Sequence, residues 1–175
     1  MTKLITLHSI KEAEAYVQTI HAAADKAVTN VVGQSSQASG IELLERMKFQ
    51  QIGFDPLNLE RRLNLVEQLN QTFTYLASFV AAKLLFSWHP GLSELQLNLG
   101  TSPGSDLESA KFGGIAAEVF AATHPKSNNK LQKDIAKVQS TKAAYKYVFF
   151  NCPLVSAGEY GVQNQNGVKL WSLST

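Results

Sequence analysis

Residues 115–122 read Ile-Ala-Ala-Glu-Val-Phe-Ala-Ala, bounded by Gly113-Gly114 on one side and His124-Pro125 on the other. An apolar run this short between turn signals suits a buried strand, since a helix needs about ten residues or more. Its one acid, Glu118, therefore sits where burying a carboxylate costs several kcal/mol (about 3–5 when a partner is missing) unless charge or hydrogen bonds compensate. Before the run, Glu94-Leu95-Gln96-Leu97-Asn98-Leu99 alternates strictly, the pattern of a half-buried strand. A Gly/Ser/Pro stretch (residues 100–104) leads into Ser105-Asp106-Leu107-Glu108, and Lys111-Phe112-Gly113-Gly114 reads as a hairpin tip. After the run, Ser127-Asn128-Asn129 caps a basic helix expected from Lys130 to Tyr145. Tyr147 to Cys152 is a buried strand closed by Pro153. Gly158 and Gly161, then Asn164 to Gly167, mark loops around a last strand, Val168 to Leu173. Five strands are thus predicted, near 94–100, 104–109, 115–122, 147–152 and 168–173, in one mixed sheet with the basic helix crossing it.

Upstream the pattern is helical. Ser9-Ile-Lys-Glu12 has the form of a capping box, and Ala13, Val17, Ile20, Ala24, Ala27 and Val31 recur at three- and four-residue steps. A short helix is expected from Ile41 to about Gln51. A long one is expected from Leu59 to Phe86, with Leu59, Leu63, Val66, Leu69, Phe73, Leu76, Phe79 and Val80 on its buried side. The fold class is α/β, read as one domain over 1–175: an N-terminal helical extension (1–58) and an α/β core (59–175).

Composition narrows the function. The chain has 175 residues, 45% hydrophobic and 17% charged, enough to form a core without disulfides or metal. One cysteine, Cys152, leaves no internal disulfide, and no apolar run reaches the ~18 residues of a membrane span. Without the basic-then-apolar order of a signal peptide, a cytoplasmic protein is expected. Charge is uneven: residues 1–110 hold 8 basic and 11 acidic side chains, residues 111–175 hold 8 and 3. Lys126, Lys130, Lys133, Lys137, Lys142 and Lys146 face a single nearby acid, Asp134, so this face suits a polyanion or is a solvated helix surface. The four histidines lack metal-ligand spacing, and no P-loop or nucleophile elbow is present.

Asp106 precedes Glu118 by twelve residues, on the other arm of the hairpin. Two strands joined by a turn set such carboxylates side by side, as a hard oxygen-liganded cation requires. The alternative is a structural salt bridge from Glu118 to Lys130 or Lys83.

Ser105-Asp106, Glu118-Val119-Phe120 and the helix and strand that follow resemble the PD-(D/E)XK nuclease superfamily, over roughly Leu59 to Leu173. The resemblance implies a restriction-endonuclease-like mixed β-sheet with flanking helices, αβββαβ in order. It also implies a metal-dependent endonuclease that hydrolyses DNA phosphodiesters, with Asp106 and Glu118 as ligands of Mg²⁺ or Mn²⁺. The first core helix of that superfamily often adds an acid, for which Glu60 or Glu67 is the candidate, Glu67 being taken as the third ligand. Phe120 stands where the motif Lys is expected, so Lys126 or Lys130 is assigned its catalytic role. Lys133, Lys137 and Lys142 are assigned to backbone phosphates, and a homodimer is expected. Two other functions compete: an inactive nuclease-fold DNA-binding or assembly subunit, and a protein-interaction module.

Overall fold

The computed structural model describes residues 3–36, 38–161 and 167–174. These divide into two compact units, residues 1–14 with 77–175, and residues 15–76. The division passes through two long helices, α1 (Ile10–Ser35) and α3 (Leu65–Trp88). No described helix is long and apolar enough to cross a membrane.

The larger unit is built on a seven-stranded mixed sheet. Its strands are β1 (Leu4–Leu7), β4 (Leu95–Asn98), β5 (Leu107–Ser109), β6 (Ile115–Ala121), β7 (Tyr145–Asn151), β8 (Gly158–Glu159) and β9 (Val168–Leu173). Their spatial order is β1-β4-β5-β6-β7-β9-β8. The β4–β5–β6 meander is antiparallel, whereas β6, β7 and β9 run parallel. A parallel neighbour needs a crossover, and α4 (Lys130–Gln139) supplies it between β6 and β7. The expected mixed α/β sheet is therefore present, with all five predicted strands close to their predicted places. The expected loop at 164–166 lies outside the described residues.

Pleating divides the buried side chains of the parallel strands. Phe120, Val148, Phe150, Val168 and Leu170 pack with Leu131, Ile135 and Val138 of α4. On the opposite face Trp88, at the end of α3, meets Tyr147, Phe149 and Trp171 with ring centroids 4.9–5.7 Å apart. Phe120 belongs to the α4 side and stacks on Phe150 at 5.6 Å.

Two expectations are corrected and one strand is added. The long helix does not begin at Leu59: Asn58–Leu63 is a strand, β3, paired antiparallel with β2 (Gly53–Asp55). Asn64 starts the helix instead, its Oδ1 accepting the Glu67 N–H at 2.8 Å, because an Asn cap satisfies a first-turn donor and helical backbone cannot extend before it. As a result Val66, Leu69 and Phe73 are exposed, and the buried side carries Leu65, Gln68, Thr72, Tyr75, Leu76 and Phe79. The basic helix is also shorter than expected, ending at Gln139 rather than Tyr145. Ser140 and Thr141 hydroxyls donate to the Lys137 and Val138 carbonyls, local bonds that compete with continued helix. Finally, Leu4–Leu7 forms an edge strand on β4 that was not anticipated.

The 15–76 unit contains the remainder of α1, α2 (Gly40–Phe49), the β2–β3 ribbon and the start of α3. Ala27, Ile52, Phe54 and Leu65 form its core. The Gln68 side chain ties it together, accepting the Phe54 N–H at 2.8 Å and donating to the Ala23 carbonyl at 3.1 Å.

Candidate active site on the α4 face of the sheet

The β5–β6 register pairs Leu107 with Ala117, so the next residues outward, Asp106 and Glu118, stand opposite each other. Side chains alternate along a strand, and Leu107 and Ala117 occupy the other face. Asp106 and Glu118 consequently share the face on which α4 lies. Two contacts hold Asp106 in place: its carbonyl accepts the Asn98 N–H at 2.8 Å, and its Oδ2 accepts the Val119 N–H at 2.8 Å.

Glu118 is 1% exposed. Its Oε2 accepts from the Lys137 ammonium at 2.8 Å, and its Oε1 is buried with no hydrogen-bond partner. One turn earlier on α4, Asp134 is 2% exposed. Its Oδ1 accepts from Lys130 at 2.7 Å, and its Oδ2 is likewise buried and unpartnered. Three carboxylates and two ammonium groups therefore occupy one partly enclosed place.

The acids titrate as a crowded group. Burial, then the Asp106 charge, push Glu118 up to about 7 from 4.5, against the opposing pull of Lys137. Burial raises Asp106, opposed by the Val119 hydrogen bond, and burial raises Asp134, opposed by Lys130. For Lys137 burial acts downward, but the Glu118 hydrogen bond and the surrounding carboxylates outweigh it and hold the ammonium above its ordinary value. Such matched displacement of acids and a neighbouring base is common where chemistry occurs.

Asp106 and Glu118 are brought together as the sequence suggests. The ammonium at Glu118 is neither of the two considered for a salt bridge: Lys130 is held by Asp134, and Lys83 pairs with Glu14 at 3.1 Å. It is Lys137, which reading by sequence had set among the phosphate contacts. Lys126 is exposed, its N–H bonded to His124 Nδ1 at 3.1 Å. Lys133 and Lys142 are exposed. Glu67 lies in the 15–76 unit, where it accepts from Gln71 Nε2 at 3.3 Å, and Glu60 is exposed on β3. Asp134 joins the site beyond the residues expected from the sequence. Its spacing from Leu131, Ile135 and Val138, on the buried side of an otherwise basic helix, was the available signal.

Glu118 Oε1 and Asp134 Oδ2 give the site uncommitted oxygens of the kind a hard dication takes. Among the described residues no group of three or more His, Cys, Asp and Glu side chains is arranged to hold a metal ion. A two-carboxylate site of the Mg²⁺ kind needs no such group, since water and substrate phosphate complete the shell. No protein-family model, curated protein or solved structure matches this chain.

Proposed function

We propose that the protein is a divalent-metal-dependent nuclease of the restriction-endonuclease-like class, acting on DNA. The observation that carries the reading is the cross-strand pair Asp106–Glu118 with the Lys137 ammonium on Glu118. The element order α3-β4-β5-β6-α4-β7 supports it, being the αβββαβ order that the resemblance implies. Asp106 and Glu118 would hold Mg²⁺ or Mn²⁺, which when bound activates water and stabilises charge on a phosphodiester.

The chain's own residues divide the remaining work. Lys137 takes the role of the motif lysine: half-exposed beside the carboxylates, it can stabilise developing negative charge on the phosphate. Phe120 cannot, because it is committed to the core against Phe150. Asp134 holds Lys130 within the same cluster and adds a second cation facing an incoming phosphate. Lys133 and Lys126, both exposed, would neutralise the DNA backbone farther along.

Phe120 itself favours a second reading, a nuclease-fold subunit that binds DNA without cutting it. Incubation of plasmid DNA with the protein and Mg²⁺ or Mn²⁺ separates the two. Cleavage lost in both Asp106→Ala and Glu118→Ala supports the enzyme, and metal-insensitive binding without cleavage supports the subunit.

A further inference from the structure

Beside the carboxylate pair lies a cavity of about 780 Å³ whose lining includes Glu94, Gln96, Glu108, Lys111, Ala116 and Lys142. Its floor follows from strand register. Gln96 pairs with Glu108 and Glu108 with Ala116, forming one row across β4, β5 and β6. Asn98, Asp106 and Glu118 form the next row on the same face, two residues away, roughly 6.6 Å along a strand. That step is close to the spacing of successive phosphates in an extended single strand. A phosphate held near Asp106 and Glu118 by a dication would set its neighbouring nucleotide over the Gln96–Glu108–Ala116 row.

The lining is chemically sorted. Glu94, Gln96 and Glu108 are rich in acceptors. Glu108 is fixed in place because its Oε1 accepts the Ser105 N–H at 2.5 Å, and Oε2 carries no bond among the described residues. The lysines stand on two loops that are pinned together. Ala144 N–H donates to the Gly113 carbonyl at 3.1 Å and Tyr145 N–H to the Gly114 carbonyl at 3.0 Å. Gly114, at φ +102°, permits this approach, since a Cβ there would lie 3.0 Å from Ala143 Cα. Neither Lys111 nor Lys142 forms an ion pair among the described residues.

Resting on the nuclease reading, we propose that this cavity binds the unpaired nucleotide next to the cleaved phosphate and prefers a base with an exocyclic amino group, cytosine above all. Glu108, with Gln96 and Glu94, accepts from the amino group, as carboxylates accept from cytosine N4. Thymine presents carbonyl oxygens there and leaves the carboxylates unpaired. Lys111 and Lys142 take the flanking phosphate without regard to base. A base can reach the Glu108 side chain from its Watson–Crick edge only when it is unstacked and unpaired, so the substrate is single-stranded or opened at this position.

Binding of short fluorescent oligonucleotides, measured by anisotropy with Ca²⁺ in place of Mg²⁺ so that a dication can hold the phosphate, tests this without any need for cleavage. Oligo(dC) should bind about tenfold more tightly than oligo(dT), the smaller end of the discrimination of a well-placed base contact. Glu108→Gln keeps an acceptor for Ser105 but adds a donor, and should abolish that preference. Lys111→Gln and Lys142→Gln should weaken both oligonucleotides equally and flatten the salt dependence. Equal binding of dC and dT by the wild type, an unchanged preference in Glu108→Gln, no binding, or tighter binding of duplex would each overturn the proposal. Cleavage without base preference would overturn the cavity assignment and leave the nuclease reading, whereas base preference without cleavage would overturn the nuclease reading and, with it, the placement of the base next to a cleaved phosphate.

Discussion

Lys137, on α4, donates to Glu118, nineteen residues earlier on β6, across 2.8 Å. The Glu118 side chain is 2% exposed and the Lys137 side chain 47%, so the pair joins the sheet to a solvent-facing helix surface. An ion pair of this geometry adds little to stability, because desolvation of the carboxylate offsets the attraction. Its more telling property is that one oxygen of Glu118 and one of Asp134 remain buried and unpartnered beside it.

The pH dependence of stability follows from Glu118. An unfolded carboxyl titrates near its ordinary value of 4.5, whereas the folded one titrates at about 7. The folded state binds the proton more tightly, so stability is greatest below the lower value and falls as pH rises toward the upper one. Asp106 and Asp134, also raised, act in the same direction. Urea midpoints should fall between pH 5 and pH 8, and Glu118→Gln should flatten the fall. A wild type equally stable at both values would contradict this.

Asp106 and Glu118 are electrostatically coupled, so removing one charge should shift the other. Asp106→Asn leaves an oxygen to accept the Val119 N–H but removes the repulsion that helps raise Glu118. The Glu118 carboxyl, followed by carbon-detected NMR, should titrate lower in this variant than in the wild type. An unchanged or higher midpoint would show that burial acts alone.

Phe120, where the proposed reading would expect a lysine, is fixed by packing. It is 5% exposed and stacks on Phe150 within the cluster formed with Leu131 and Ile135. Phe120→Ala should destabilise by about 3–5 kcal/mol, the usual loss for a buried aromatic. Phe120→Lys would bury a charge and should fail to fold rather than restore a motif. Chemical denaturation of both variants checks this.

Much of this was legible in the sequence because the decisive signals were local. The Glu94–Leu99 alternation, the run at 115–122 and the Tyr147–Cys152 strand each carry their own periodicity and turn boundaries. The carboxylate pair was legible for the same reason, since a short turn fixes which residues oppose. What escaped depended on distant partners or on a single capping residue inside a continuous apolar pattern. Leu4–Leu7 is a strand only because β4 is beside it. Leu59 and Leu63 fit the helical spacing of the residues after them, and only the Asn64 cap separates the two elements. The salt bridge expected from Glu118 to Lys130 or Lys83 goes to Lys137 instead, because the pairing depends on how α4 crosses the sheet. The crossing brings the last turn of α4 over Glu118 and leaves Lys130 to Asp134.

The most direct test is single-turnover cleavage of a labelled DNA substrate at saturating protein, with Mg²⁺ or Mn²⁺, by wild type, Lys137→Gln, Lys130→Gln and Lys133→Gln. If Lys137 carries the motif-lysine role, its loss should lower the cleavage rate by about 10²–10³-fold, as for other charge-stabilising donors. DNA affinity should fall only modestly. Lys133→Gln should weaken binding and its salt sensitivity while the rate at saturation holds. Lys130→Gln should lie between them, since it stands in the cluster but on Asp134. Cleavage by Lys137→Gln at the wild-type rate, or no metal-dependent cleavage by the wild type at all, would contradict the account.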